Sequence, residues 1–252
     1  CSFSQFDQAY STATIDLYHS NPIIRRCIII EKDGPAIASG ANGASSPHIV
    51  NNLINHNVES NSNTPQINLG TSDGLSPIVI DSNTINGLYE MAGGIAVSTL
   101  AGGNSTAFIR NNNINGNRYG IAMIGSNISG QISHNTIVGN NIQNEPMLGG
   151  SRINFSGGAT NQCIVSYNTI VDNLWGITIQ QSAAPNIGDN TDNSPGHNIF
   201  IDNENGFQTY ALYNNTSGNI WALNNFWGTV DLEEAEDFIF HKNDDVSLGE
   251  VF

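Results

Sequence analysis

Basic residues are scarce in this sequence, and charged residues of either sign are few. Lys and Arg supply 7 of the 252 residues against 22 Asp and Glu, so the formal net charge is −15. Phosphate backbones and anionic membrane surfaces repel such a chain, which argues against nucleic acid as a partner. Acidity of this degree keeps a secreted protein soluble, and it leaves Ca²⁺ as a candidate cofactor because hard cations take oxygen ligands.

Cysteine and long apolar runs are scarce as well. Cys1, Cys27 and Cys163 make no even disulfide framework. No apolar run approaches the about 20 residues of a membrane-spanning helix, so we expect no membrane insertion. The sequence shows no signal peptide and no initiating Met. We therefore expect other domains of the same larger chain to precede it.

Small polar residues take the place of the missing charges. Asparagine supplies 38 residues and glycine 26. Such a composition is also found in disordered polar tracts. Here, however, the Asn residues recur at fixed places beside Ile and Val, which indicates a repeating fold.

A motif of Asn, a variable residue and an apolar residue returns every 23 to 33 residues. Its first positions, here called the anchors, are Cys1, Cys27, Asn52, Asn83, Asn112, Asn135, Asn168, Asn198 and Asn225. A second apolar column lies three residues before the anchors from Ile24 to Val165. Repeats of this length are typical of solenoids, whereas a propeller blade needs about 40 residues.

The alternation of apolar and polar residues in short β-branched runs predicts strands, and Asn and Gly between the runs suit tight corners. Stacked coils bring equivalent residues about 4.8 Å apart. The sequence therefore predicts an all-β fold, a single-stranded right-handed parallel β-helix of about eight to nine coils. Apolar columns form its core and Asn columns form hydrogen-bonded ladders.

The repeat ends near residue 228. From Asp231 to Phe240, acidic residues precede apolar ones, as at the start of a helix. We expect a short helix that covers the end of the stack, with Phe238, Ile239 and Phe240 as the plug. The predicted organisation is a β-helix over residues 1–228 and a capping helix with a tail over residues 229–252.

The runs Ser76-Pro77-Ile78-Val79-Ile80 and Asn224-Asn225-Phe226-Trp227-Gly228-Thr229, with the Asn-Thr-Ile anchors, resemble the parallel β-helix repeats of the pectate-lyase-like superfamily. The likeness is to large secreted or surface proteins of Bacteroidetes-type bacteria. It implies a secreted or cell-surface location. Members of the superfamily include polysaccharide lyases, glycoside hydrolases, phage tailspikes and adhesive stalks, so the resemblance specifies a fold and leaves the activity open.

A lyase of this superfamily would need an acidic residue and a basic residue that removes a proton. Asp81 and Arg110 share a column on adjacent coils, and the alternative is a simple ion pair between coils. A polygalacturonase would carry four motifs, of which Asn190-Thr191-Asp192 matches one. We interpret that match as coincidental.

Asp172 and Asp202 also share a column, four residues after their anchors. Stacking would bring these like charges together, which makes them candidates for a catalytic pair or a calcium site. The alternative is two solvated corner carboxylates. Tyr119 and Trp175 lie outside the interior columns and are candidates for stacking on sugar rings, with loop packing as the alternative.

Three functions remain open. The preferred hypothesis is a non-catalytic secreted or cell-surface module that either serves in adhesion or contacts a polysaccharide or a cell-surface glycan. A polysaccharide lyase or glycoside hydrolase is the second, and a structural stalk is the third. The loops Asn141 to Thr160 and Gln181 to Gly196 are long enough to wall a groove, which favours the lyase or hydrolase hypothesis.

Overall fold

A computed structural model describes the chain over residues 2–3, 13–40, 43–142, 151–205 and 208–252. Three parallel sheets run the length of the molecule, and the chain visits them in turn, one strand at a time. Sheet A contains β1 (Ser2–Phe3), β4 (Ile28–Ile30), β7 (Leu53–Asn55), β10 (Thr84–Asn86), β13 (Asn113–Asn115), β16 (Thr136–Val138), β19 (Thr169–Val171) and β21 (Ile199–Ile201).

Sheets B and C complete each coil. Sheet B contains β2 (Ile15–Leu17), β5 (Ile37–Ser39), β8 (Pro65–Leu69), β11 (Gly93–Ser98), β14 (Ile121–Ile124), β17 (Ser151–Gly157), β20 (Trp175–Gln181), β24 (Leu212–Asn215) and β25 (Ile239–Phe240). Sheet C contains β3 (Ile23–Arg25), β6 (His48–Val50), β9 (Ile78–Asp81), β12 (Ser105–Arg110), β15 (Ile128–Ser133) and β18 (Asn161–Ser166). A short antiparallel pair, β22 (Glu204–Asn205) and β23 (Gln208–Thr209), stands outside them. This architecture confirms the predicted parallel β-helix.

The strand register turns each sequence column into a ladder. In sheet A, Ile85 is paired with Ile54 on one side and with Ile114 on the other. The middle residue of each strand from β4 to β21 points inward and is at most 1% exposed. Burial of a side chain of this size contributes roughly 1.5–3 kcal/mol, so the stacked Ile and Phe side chains form one continuous core.

Left-handed backbone forms the corners on both sides of sheet A. Residues immediately before the anchors have φ between 54° and 62°: Arg26, Asn51, Ser82, Asn111, His134, Tyr167, His197 and Asn224. From Glu31 to Asp202, residues four after the anchors are left-handed as well, except Gly87: φ lies between 51° and 62° in Glu31, His56, Gly116, Gly139, Asp172 and Asp202. Side chains at these corners project from the edges of the sheet.

An asparagine ladder runs under the first corner. In each step the Nδ2 of one anchor Asn donates to the Oδ1 of the next, at 2.8–3.0 Å, from Asn52 to Asn225. The same Oδ1 also accepts a hydrogen bond from the backbone N–H of the preceding anchor. For example, the N–H of Asn112 donates to Oδ1 of Asn135. The predicted ladder is confirmed, and it satisfies the corner backbone inside the stack.

A second ladder runs under the other corner and contains a residue that the repeat did not predict. Asn117, Asn140, Asn173 and Asn203 follow one another, but Asn57 is separated from Asn117 by a coil without an Asn. Gln66 of β8 fills the gap. Its Oε1 accepts from Asn57 and its Nε2 donates to Asn117 at 2.9 Å.

The C-terminal segment contains the predicted helix, α1 (Leu232–Asp237). Asp231 caps it by accepting a hydrogen bond from the backbone N–H of Glu233 at 2.9 Å. Ile239 and Phe240 form β25, which extends sheet B beside β24, while Phe238 packs against the core. No helix in the described part of the chain is long and apolar enough to cross a membrane.

Candidate functional site

A groove of about 470 Å³ lies on the outer face of sheet C, where it meets the corner before sheet A. We call it the tyrosine groove. Its lining residues are Asp81, Arg110, Asn111, Gln131, Ser133, His134, Tyr167, Asp192 and Pro195. Strands β9, β12 and β15 supply the floor, and the loop before β21 supplies a wall, as the sequence predicted.

Asp81 and Arg110 form an ion pair on the floor. The Nε of Arg110 donates to Oδ2 of Asp81 at 2.7 Å, and Asn111 and Ser82 donate to Oδ1. Burial by itself raises the pKa of Asp81, but the hydrogen bonds of Asn111, Arg110 and Ser82 and the charge on Arg110 outweigh burial and leave that pKa lowered. The structure therefore places the two predicted residues in contact, and the charge of each is neutralised by the other.

Replacing Arg110 with Met is expected to raise the pKa of Asp81, because the variant removes a hydrogen bond and a positive charge that lower it. Because the pKa of Asp81 is lower in the folded state, Asp81 stabilises the fold at pH values above its unfolded pKa of about 3.9. This contribution is lost as the pH falls through the folded pKa. The contribution is that of a surface pair, under about 1 kcal/mol. Carboxyl NMR titration measures the shift. Lys242→Met, which breaks the distant pair with Glu250, is the control. An unchanged Asp81 pKa in Arg110→Met would contradict the prediction.

Three rings form a short stack at the corner beside the groove. The ring of Tyr167 lies 4.9 Å from that of His134 and 5.2 Å from that of His197, with interplanar angles of 19° and 30°. Because all three belong to the column before the anchors, stacking of the coils aligns them. Tyr167 remains 44% exposed although an imidazole ring lies on either side of it.

The loop that walls the groove is held by its own polar side chains. Asp189 accepts hydrogen bonds from the backbone N–H and hydroxyl of Thr191 and from Nδ2 of Asn186. The Thr191 interactions are the first cause of a lowered pKa of Asp189. Asp192 is exposed and lines the groove. The groove therefore combines two carboxylates, one guanidinium, amides, hydroxyls and an imidazole.

Asp172 and Asp202 lie outside this groove. They occupy equivalent corners on adjacent coils, and the backbone N–H of Asp172 donates to Ile201 at 3.1 Å. Both side chains are exposed. Two carboxylates supply fewer oxygens than the six to eight that Ca²⁺ takes. Within the described ranges, no group of three or more His, Cys, Asp or Glu side chains could hold a metal ion.

Tyr119 and Trp175 lie outside the tyrosine groove, and each packs against a neighbouring coil. Trp175 is 8% exposed, because its ring stacks on that of Tyr213 at 4.7 Å. Tyr119 is half-buried over Gly93, where an added Cβ would lie 2.2 Å from the Tyr119 ring. Burial raises the pKa of the Tyr119 hydroxyl. Their role in sugar contact stays a prediction, now without the exposure that suggested it.

Sequence reasoning missed Tyr167 as a surface aromatic. The available signal was its column, since every residue before an anchor occupies a left-handed corner and points outward. His134 and His197 share that column. Had the corner been recognised, the three rings would have been predicted to stack.

Comparison with known families gives a match over most of the chain. The family model described as "Protein of unknown function (DUF1565)" matches residues 34–231. The chain belongs to this family. Neither the curated proteins nor the solved structures include one that matches it. The family match covers most of the coils and the tyrosine groove, and it assigns no activity.

Proposed function

We propose that this chain is a non-catalytic module of a secreted or cell-surface protein and that it binds an uncharged polysaccharide in the tyrosine groove. The observation that carries the proposal is the exposed Tyr167, which is held between His134 and His197 beside a groove lined with amides and hydroxyls. The expected consequence is adhesion to a glycan surface.

The chemistry of the groove suits a polyol. Asn111, Gln131 and Ser133 offer neutral donors and acceptors, which match sugar hydroxyls without the cost of burying an unpaired charge. Tyr167 adds an amphipathic ring with a hydroxyl. The strands beneath these side chains are fixed on both sides by their neighbours, so little freedom is lost when a ligand binds.

The charge distribution favours an uncharged ligand over an acidic one. The chain carries a net charge of −15, which repels polyanions. Arg110, the basic residue of the groove, is neutralised by Asp81, and Asp192 adds a further negative charge. An acidic polysaccharide would find no free cation among the described lining residues.

The location in a larger secreted or surface protein of Bacteroidetes-type bacteria belongs to the same proposal. Its support is the resemblance of the repeats and the acidic composition, with few Lys and Arg. Such a solenoid would display the tyrosine groove as one binding unit among the other domains of its chain.

Replacing Tyr167 with Ala is expected to weaken binding to uncharged soluble oligosaccharides at least tenfold, which corresponds to about 1.4 kcal/mol. Isothermal titration against neutral and acidic oligosaccharides, with and without calcium, measures the effect. Tyr18→Ala, which removes a 69% exposed tyrosine outside the groove, is the control. The proposal fails if Tyr167→Ala binds as the unaltered protein does.

The second candidate is a polysaccharide lyase or glycoside hydrolase. It is favoured by the presence of Asp81, Asp192 and His134 in one groove, since paired carboxylates and imidazoles serve acid–base chemistry. Release of unsaturated or reducing ends, abolished by Asp81→Asn, would replace the binding proposal with this one. If the protein neither binds nor releases products, a structural stalk is the remaining account.

A further inference from the structure

The outer face of sheet A is a surface that the tyrosine groove does not use. It consists of the first and third residues of the seven three-residue strands from β4 to β21. We call this surface the neutral strip. All of its side chains are exposed or half-buried, because the middle residue of each strand takes the inward position.

The composition of the neutral strip differs from that of the rest of the chain. Its residues are Thr, Asn, Ile, Leu and Val alone, although the chain as a whole carries 22 acidic residues. Its centre is polar, with Thr84, Asn113 and Thr136 in one column. Its two ends are apolar, as at Ile28 and Ile199. The strip therefore offers hydroxyls, amides and methyl groups without a net charge.

The amides at the centre of the strip are also fixed. Nδ2 of Asn86 donates to Oδ1 of Asn55 at 2.7 Å, and Asn115 donates to Asn86 in the same way, so three surface amides hold each other in line. Gly87 and Gly116 border the strip at its centre, and a Cβ on Gly87 would meet the carbonyl of Gly116 at 2.1 Å. No side chain rises above the plane at these glycine corners.

The repeat and the neutrality of the strip point to the kind of partner. Its groups recur about every 4.8 Å along the stack, as parallel strands require. A partner whose own groups repeat at regular intervals can contact many of these side chains at once. The weak contacts then add, because the side chains of the strip are already ordered before the partner binds. An uncharged partner is desolvated at lower cost than a charged one, because the hydroxyls and amides of the strip can replace the hydrogen bonds of neutral groups but cannot compensate a charge.

The size of the strip argues against a second copy of the chain. Seven strands span about 29 Å and three residues span about 10 Å, so the strip covers roughly 300 Å². A stable protein interface buries about 800 Å² on each partner.

We propose that the neutral strip docks on the flat surface of an ordered, uncharged, insoluble polysaccharide. The hydroxyl groups of that surface meet the Thr and Asn side chains, and its C–H groups meet the Ile, Leu and Val side chains. This rests on the proposed function, since it adds a second glycan surface to the same module. The groove then holds single chains, and the strip holds the solid.

The test is depletion of the protein from solution by microcrystalline cellulose and by crystalline chitin. The strip variant is Thr136→Glu with Thr169→Glu, which places two charges on neighbouring coils. The matched control is Thr106→Glu with Ser129→Glu, which adds the same charge on the outer face of sheet C. We expect the strip variant to lose at least tenfold in partition to one of the solids and the control to keep its partition. Adsorption of the unaltered protein should change little between 0.05 and 0.5 M salt, as roughly expected where no ion pairs form.

The outcomes separate this proposal from the groove proposal. Loss of solid binding in the strip variant, with soluble oligosaccharide binding retained, supports the strip. Equal adsorption by the strip variant and the unaltered protein overturns it, as does absence of adsorption to both solids. A dimer that sedimentation detects and that the strip variant dissociates would overturn it in favour of a second copy. If Tyr167→Ala loses binding only to soluble oligosaccharides, that result concerns the groove proposal and does not change the conclusion about the strip.

Discussion

Replacing Asn135 with alanine is expected to destabilise the protein by about 3–5 kcal/mol. The Asn135 side chain is 1% exposed and lies in the middle of the anchor ladder. Its Oδ1 accepts from the backbone N–H and from Nδ2 of Asn112, and its Nδ2 donates to the carbonyl of Ile109 and to Oδ1 of Asn168. Alanine removes all four bonds, at about 1–3 kcal/mol for each buried group left unpaired. The Oδ1 of Asn168 keeps the bond from the backbone N–H of residue 135, and Nδ2 of Asn112 keeps its bonds to two carbonyls, so the loss falls mainly on the Asn112 N–H and the Ile109 carbonyl.

The charged analogue Asn135→Asp gives a sharper version of this test. A carboxylate can accept from Asn112 but would face the carbonyl of Ile109 and the Oδ1 of Asn168 without a proton to donate. Its folded pKa should therefore lie above the unfolded value of about 3.9. By linkage, the variant is relatively most stable below that unfolded value and loses stability as the pH rises through its folded pKa.

Urea unfolding followed by circular dichroism measures both variants between pH 3 and pH 8. Asn113→Ala is the matched control, because the Asn113 side chain is exposed on sheet A beside the same ladder. Its effect should stay within about 0.5 kcal/mol. A loss of under about 1 kcal/mol in Asn135→Ala would mean that the ladder is not a major source of stability.

Replacing Phe200 with alanine is expected to cost about 3–5 kcal/mol, the usual range for a buried aromatic side chain. Phe200 is 1% exposed at the C-terminal end of the sheet A core. Its ring stacks on that of Trp227 at 4.8 Å with an interplanar angle of 13°. The variant therefore opens a cavity and removes the surface on which Trp227 rests.

Phe226→Ala is the control for this cavity. Phe226 is 38% exposed and is joined to the stack by its backbone, which bridges to Ile199. We expect it to lose less than half as much stability as Phe200→Ala. Trp fluorescence should shift to longer wavelength in Phe200→Ala under native conditions, as Trp227 gains water. Equal losses in the two variants would show that the end of the stack is not packed as described.

The coil repeat could be predicted because one physical requirement acts on every coil. A three-residue strand in sheet A has one inward position, and an apolar residue must fill it, so Ile54, Ile85 and Ile114 stand at equal offsets from their anchors. The amide of each anchor must bond to the next coil, which keeps Asn at the anchor. These constraints are local and recur, so a single sequence reveals them.

Gln66 could not be predicted because it fills its place from another part of the coil. Leu88 occupies the position where the second ladder expects an Asn, and the missing amide comes from β8. A longer side chain on a neighbouring sheet can serve the same hydrogen bonds. No offset from an anchor marks it, since its position depends on how the corner folds in three dimensions.

The candidate site was predicted in part. Asp81 and Arg110 were found because they share a column two residues before their anchors, and the register brings them together. The places of Tyr167 and Asp192 in the groove were missed, because one depends on the left-handed corner and the other on a folded loop. The packing of Trp175 was missed because its ring neighbours Tyr210 and Tyr213 come from the next coil.

The anchor ladder has a direction, since each anchor amide donates to the Oδ1 of the next anchor toward the C-terminus and to a backbone carbonyl of the coil before it, as in Asn135. Each coil therefore presents the same acceptor below and the same donor above, and any two coils can be neighbours. Removing residues 112–134 would join Asn111 to Asn135 and leave every remaining anchor with a partner of the same kind. Evolution or engineering can therefore change the length of such a protein by one coil at a time, because the added or removed coil requires no new type of contact.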